Sequence, residues 1–464
     1  MRLISILAIL TVFLIGLAGI GIAYQWHGEI AGVQPQPATS FSPEVVQKGA
    51  QLAYIGNCIV CHTREKGAAL AGGAPLSTPF GKVYSTNITP DPETGIGRWS
   101  EAAFIRSLRE GVDRQGRHLY PAFPYDHFTL VTDEDSRALY AYLMTREPVR
   151  AVQPTNELAF PFNIRTLLAG WKLLYFKPGA FRADPNLSAE LNRGKYLAEG
   201  LGHCGACHTP RNRLGAEIKS RAYDGGDVEG WHAYAINANS SAPVPWNAAT
   251  LYFYLRNGWE QVHGIARGPM SPVVTNLGVS SENDVHALAK YFDLLMLARE
   301  AGVSQLENIT AERPELPGGK PISGDSLGSP AMASNDRGAQ IYQSACAACH
   351  DSGRSPPFGG LPLTLSSGIS SDNPQNVINV TLFGLPAADG EASPIMPGFD
   401  GVFSDEELIE LLRYLRKTFA NKAEWPDLPA RVASARNGST SVAVMTSPPI
   451  TAAPVNAGEG SGTW

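Results

Sequence analysis

A chain of 464 residues has room for two to four domains. Its formal charge of −6 excludes a strongly basic nucleic-acid binder. Only 17% of residues are charged, while Gly (47) and Pro (35) are plentiful, which suits small units rich in loops.

The N-terminus supplies an address. Arg2 precedes Leu3 to Ala23, an uncharged run of 21 residues broken only by Ser5, Thr11 and glycines. As a helix this run reaches about 31 Å, close to the hydrocarbon thickness of a bilayer. The single leading positive charge holds Arg2 inside and sends the rest outside. A cleaved signal peptide is the competing reading, with Gly21-Ile22-Ala23 as the small-x-small site. The run is longer than a usual signal core, so residues 1–24 are expected to be a retained anchor. Both readings export the chain.

The first unit, residues 41–150, opens with a helical pattern (Val45 to Ile55, containing Lys48-Gly49) that runs into Cys58-Ile59-Val60-Cys61-His62. The same C-x-x-C-H spacing recurs as Cys204-Gly205-Ala206-Cys207-His208 and Cys346-Ala347-Ala348-Cys349-His350. This is the attachment pattern of c-type haem. Two thiols one helical turn apart can each add to a haem vinyl group, and the adjacent His presents a nitrogen to the iron. A redox C-x-x-C or half a zinc site are the rival readings. Both fail on arithmetic: the six Cys are all spent in these three motifs, and His follows each time. The chain is therefore read as binding three covalent c-type haems, which also explains how loop-rich units complete their cores.

Each unit closes alike. Thr132-Asp133-Glu134-Asp135, Ser281-Glu282-Asn283-Asp284 and Ser404-Asp405-Glu406-Glu407 read as N-caps with an acid three residues on, and only the last is a strict capping box. Apolar residues at helical spacing follow each, with an aromatic recurring as Tyr142, Tyr291 and Tyr414. Arg193-Gly194 and Arg337-Gly338 stand before the second and third motifs as Lys48-Gly49 stands before the first. Matching offsets mark an internal repeat.

Between these helices each unit should supply a second axial ligand. In the second unit, residues 186–303, Gly268-Pro269-Met270-Ser271-Pro272 frames a Met; in the third, residues 336–421, Pro394-Ile395-Met396-Pro397-Gly398 does so. Most Met residues fill cores, but Met270 and Met396 each stand on an irregular stretch shortly before a final helix. Both are expected to ligate iron. The first unit breaks the rule. His208 to Met270 is 62 residues, and counting 61 from His62 lands on Phe123, in Pro121-Ala122-Phe123-Pro124-Tyr125. The nearest candidate donor is His127, four residues on, with His118 behind it.

The connectors differ in kind. Residues 151–185 carry an apolar stretch, Ile164 to Phe176, readable as interdomain packing, a partner's docking face or a membrane-surface helix. Residues 304–335 are a Pro/Gly/Ser-rich linker. Residues 422–464 read as a low-complexity tail with little helix signal, either disordered or laid over a neighbour.

Thr78-Pro79-Phe80-Gly81, Tyr84-Ser85-Thr86-Asn87-Ile88-Thr89-Pro90-Asp91-Pro92-Glu93-Thr94-Gly95-Ile96-Gly97, Trp99-Ser100, the stretch from Gly202 to Arg211 and Gly268-Pro269-Met270 together resemble the three-haem cytochrome c subunits of bacterial membrane-bound dehydrogenases. The resemblance runs from about Phe41 to about Ala420. It implies an all-α chain of three tandem class I cytochrome c domains on the periplasmic side of the inner membrane. It further implies electron transfer from a catalytic partner to ubiquinone or another respiratory acceptor. In the branch serving quinoprotein alcohol and flavin-dependent gluconate dehydrogenases, the first unit normally reads Pro-Ala-Met-Pro-Tyr. Phe123, with Leu168-Ala169-Gly170-Trp171 downstream, looks more like subunits that accompany molybdenum hydroxylases oxidising aldehydes or nicotinate, the aldehyde dehydrogenase type with its iron–sulfur subunit being favoured. Two other functions compete. A multihaem peroxidase would need an open iron position, for which only the first unit qualifies, and a haem–copper oxidase subunit would lack three tandem units. No catalytic residue is expected in this chain.

Overall fold

The computed structural model describes residues 26–297, 336–354, 359–386 and 395–438, together with Gly16. The apolar N-terminal run, the Pro/Gly/Ser-rich linker and the chain past residue 438 lie outside the described residues, Gly16 apart. Among those described, no helix is long and apolar enough to cross a membrane.

Helix α1 (Pro43–Ile55) starts where Ser42 accepts a hydrogen bond from the Val45 amide. Helix α2 (Glu101–Glu110) is capped by Ser100 and stopped by Gly111 at φ 62°, a left-handed turn that only Gly enters freely. Helix α3 (Asp133–Met144) begins at the Thr132 cap and packs across α1. The crossing is built on a missing side chain. A Cβ on Gly49 would run into the Ala138 carbonyl and sit 2.7 Å from the Cβ of Tyr142.

Past the connector helix α4 (Leu168–Tyr175), the crossing recurs between α5 (Ala189–Tyr196) and the closing helix of the second unit, where Gly194 meets Ala287 and Tyr291. That unit holds α6 (Ala248–Asn257), α7 (Met270–Gly278) and α8 (Glu282–Leu297). In the third unit, α9 (Arg337–Ala345), α10 (Gln375–Phe383) and α11 (Asp405–Ala420) repeat it, with Gly338 against Glu410 and Tyr414. The recurring aromatics thus pack on the recurring glycines.

The acid three residues past each cap has a task the sequence did not show. The cation before each glycine pairs with it: Lys48 with Asp135 at 2.7 Å, Arg193 with Asp284 at 2.7 Å, and Arg337 with Glu407 at 2.6 Å. Only Ser404–Glu407 also closes the reciprocal capping box, as expected.

The chain is mostly helical but not purely so. Strands β1 (Pro75–Thr78) and β2 (Gly81–Tyr84) form a hairpin, and β3 (Glu157–Leu158) of the connector adds to it antiparallel. A second hairpin pairs β4 (Gly226–Val228) with β5 (Trp231–Ala233). The alternation is too short for periodicity to reveal. The segment after residue 421 carries a helix that its sequence did not signal. Helix α12 (Leu428–Arg436) folds back, and Trp425, Leu428, Val432 and Ala435 are buried in the core of the third unit. The buried Arg416 guanidinium stacks 4.7 Å from the Trp425 ring and donates to the Ile369 and Ser371 carbonyls, which ties the tail down.

One apolar core runs through the first two units without a break; the third has its own.

Candidate haem sites

Each C-x-x-C-H motif sits on or beside a single helical turn: Cys58–Cys61, Gly205–His208 and Ala347–His350. No disulfide joins any of the six cysteines. Burial pushes the thiols of Cys58, Cys207 and Cys346 up to about 11 and those of Cys61 and Cys204 to about 12. Thiols held protonated are slow to pair as disulfides, so these five stay open to thioether formation.

The three motif histidines share one environment. Nδ1–H of His62 donates to the Thr86 carbonyl, that of His208 to Tyr234 and that of His350 to Leu361, each at 2.7 Å. Burial lowers the pKa of all three, so each imidazole is neutral. A neutral ring that donates through Nδ1 keeps its Nε2 lone pair for a metal, and the carbonyl fixes tautomer and ring orientation. Paired thiols plus one oriented imidazole is the donor set a covalent haem requires. Bound haem supplies one-electron chemistry; the protein supplies attachment, the proximal nitrogen and a buried surrounding.

Sequence reasoning missed the three carbonyl acceptors, because any residue can offer a carbonyl. A signal existed for the first. Thr86 opens the Thr86-to-Thr94 loop, whose side chains lock one another. The buried Asn87 accepts from Thr89 N at 2.9 Å and donates to Val149 O at 2.7 Å, and Asp91 accepts from Thr94 N at 2.6 Å. The motif that carried the family resemblance is thus the brace for the carbonyl that orients His62.

Met270 is the first residue of α7, half-buried and packed against the shared core. Gly268 before it takes φ +56°, and a Cβ there would strike the Trp231 indole at 2.6 Å, so the loop needs glycine. Met396 is half-buried and held by a two-bond bridge to Leu385, with N–O distances of 2.8 and 2.9 Å. Phe123 lies in the turn before the short helix Tyr125–Phe128, its ring 5.1 Å from that of Phe128.

His127 is not placed as a sixth ligand. Its ring is buried and both nitrogens are engaged: Nδ1 donates to Glu199 O at 2.7 Å and Nε2 to Glu217 Oε1 at 2.6 Å. Burial works against the imidazolium, but the Glu217 hydrogen bond and nearby acids outweigh it and raise the pKa. Glu217 falls to about 2: burial opposes its charge, and His127 and Lys219 overcome that. A doubly donating imidazolium has no lone pair for iron. The sequence suggested a ligand because it could not show that Glu217, 90 residues away, faces the ring. His118 is also committed, its Nδ1 lying 3.1 Å from Lys172 Nζ.

The first two motifs abut. Asn276 of α7 donates to Asn57, the residue before Cys58, at 2.7 Å, and Leu201 packs 3.1 Å from the Cβ position of Gly56. The third unit docks on β5. Asn376 of α10 bonds His232 through both N–H and C=O, at 2.9 and 2.8 Å, two residues from the Tyr234 carbonyl that holds His208.

Repeated motif turns, oriented histidines and Gly–Tyr helix crossings define a c-type cytochrome. Residues 46–147 match the family described as Cytochrome c, and residues 333–415 match Cytochrome C oxidase, cbb3-type, subunit III. Over 402 residues the chain is 35% identical to the fructose dehydrogenase cytochrome subunit of Gluconobacter japonicus, covering 84% of this chain and 82% of that one. It is 33% identical over 417 residues to the alcohol dehydrogenase (quinone) cytochrome c subunit of Gluconacetobacter polyoxogenes, covering 85% and 84%. It is also 43% identical over 432 residues to a nicotinate dehydrogenase subunit of Pseudomonas putida, covering 92% of this chain but only 34% of that protein's length. The chain belongs to the family of cytochrome c electron-transfer subunits of dehydrogenases.

Proposed function

We propose that this chain is a three-haem relay that accepts electrons from a periplasmic dehydrogenase and delivers them to ubiquinone or another respiratory acceptor at the inner membrane. The observation that carries it is the threefold recurrence of an i, i+3 thiol pair followed by a His whose Nδ1 is tied to a backbone carbonyl. Met270 and Met396 serve as sixth ligands in the second and third units, and thioether ligation raises potential. The first unit has Phe123 at the corresponding place, so its iron is five-coordinate or takes a donor other than His127. Residues 1–24 act as the anchor.

For the partner we favour a molybdenum hydroxylase with an iron–sulfur subunit. Phe123 departs from the Pro-Ala-Met-Pro-Tyr pattern, and 43% identity to a nicotinate dehydrogenase subunit points the same way. The second reading, a quinoprotein or flavoprotein partner, is favoured by the alcohol and fructose dehydrogenase relatives. Co-purification decides: a molybdenum protein should accompany this chain, the isolated chain should show no dehydrogenase or peroxidase activity, and a quinoprotein or flavoprotein in its place would reverse the choice.

A further inference from the structure

The connector that joins the first two units has one face committed and one bare. Ala169 and Lys172 of α4 turn inward. The Lys172 ammonium donates to Glu110 O at 2.6 Å, Gly111 O at 2.7 Å and His118 Nδ1 at 3.1 Å, and lies 4.6 Å over the Tyr125 ring. Trp171 Nε1 reaches the Leu214 carbonyl of the second unit at 2.9 Å. The helix is therefore rigidly seated on both units. Leu167, Leu173 and Leu174 project from its outer side, Leu174 with 72% of its surface exposed, and Phe160 on the approach is 79% exposed. Leu167 and Leu174 are seven residues apart and share a face.

The charge around this face is one-sided. Residues 158–183 contain not one Asp or Glu, and Lys177 and Arg182 are exposed there with Arg165 half-buried, in a chain whose net charge is −6. A fixed helix with bare leucines and a cationic surround fits an anionic lipid surface.

The chain's own path places that surface. The segment Glu110–His118, which Lys172 grips, is also gripped by the residues that follow the apolar N-terminal run. His27 Nε2 lies 3.1 Å from the Glu110 carboxylate, its ring stands edge-on to His118 at 5.7 Å, and Arg106 donates to Gly28 O at 2.7 Å. Trp26, 79% exposed, thus leaves the fold beside α4. We propose that α4 docks flat on the anionic bilayer surface, Leu167, Leu173 and Leu174 reaching below the headgroups and Lys177 and Arg182 meeting the phosphates. The docking takes its position from the anchor reading of residues 1–24, but not its chemistry.

The test uses full-length holoprotein reconstituted in vesicles of phosphatidylglycerol and phosphatidylethanolamine. Because the haems consume all six native cysteines, Leu174→Cys offers one thiol for a nitroxide, and Val402→Cys on the third unit is the aqueous control. Power-saturation EPR should place the label at 174 about 5–10 Å below the headgroups, open to oxygen and closed to a nickel chelate, with the control open to both. Leu167→Cys gives the same readout if the first variant matures poorly. A label at 174 that stays open to the nickel chelate overturns the proposal, as does one shielded only when a catalytic dehydrogenase is added. An immersed label on protein that carbonate then washes off refutes the anchor and upholds the docking.

Discussion

A histidine is defined by what its other nitrogen does. His62, His208 and His350 give Nδ1–H to a carbonyl and keep Nε2; His127 gives both away. Replacing His127 with Gln should therefore leave the spin state of every haem unchanged in the optical and EPR spectra. It should instead lower stability, at or below the low end of the roughly 3–5 kcal/mol typical for breaking a buried pair, since Lys219 still neutralises Glu217 at 2.8 Å. The pair also sets a pH window. His127 is raised above 6.5, so its share is complete below 6.5 and lost as pH climbs through its folded pKa. Glu217 is depressed from 4.5 to about 2, so its share holds above 4.5 and fades as pH falls through 2. Thermal melts between pH 5 and 9 should thus show an alkaline loss of stability that His127→Gln abolishes; equal slopes for both proteins would sink the idea. Met270 and Met396 carry a separate prediction. Replacing either with Ala should remove part of the near-infrared sulfur-to-iron band and lower one haem potential. Unchanged redox titrations in both would make them core residues.

At the scale of elements, the fold was largely legible because its helix crossings demand specific residues. Lys48-Gly49, Arg193-Gly194 and Arg337-Gly338 were visible as repeats, and so were the acids at 135, 284 and 407. What the sequence could not show was that the two sets touch, since nothing in either local pattern records a partner 70 to 91 residues away. The glycine is the more exacting half. Its Cβ would fall on a backbone carbonyl, which cannot swing aside as a side chain would. Gly194→Ala should therefore cost at or above the upper end of the roughly 1–3 kcal/mol of core overpacking, read as a lower melting temperature and a reduced yield of matured protein. Arg193→Met should cost far less, because Arg193 is over a third exposed and such ion pairs contribute about 0–1 kcal/mol. The helix in the tail was hidden for a physical reason. Helix α12 has almost no amphipathic stripe, and buries Leu428, Val432 and Ala435 only because Trp425 and Arg416 hold it in place. Tertiary contacts decide that helix, not its own periodicity.

For the whole molecule, the packing suggests an order that the chain's linear sequence leaves open. The first and second units share a continuous core and their motifs meet through Asn57–Asn276 and Gly56–Leu201, whereas the third touches the second through Asn376 at β5. The second unit therefore lies between the other two in space as well as in sequence. A relay of this form has one obligatory middle member. Replacing Cys204 and Cys207 with Ala should remove one haem from the intact mass and leave two. Because the first and second units share their core, the variant must first be shown to melt cooperatively. In stopped-flow mixing with its dehydrogenase partner and substrate, one remaining haem should then reduce at the normal rate while the other lags, and steady-state transfer to a ubiquinone analogue should collapse. The corresponding loss at Cys346 and Cys349 should leave both remaining haems rapidly reducible, or both slow if the third haem receives the electrons first, which fixes the direction of flow. If the variant lacking Cys204 and Cys207 still passes electrons to quinone at the full rate, the second unit is a side branch, and contact between units does not define the path.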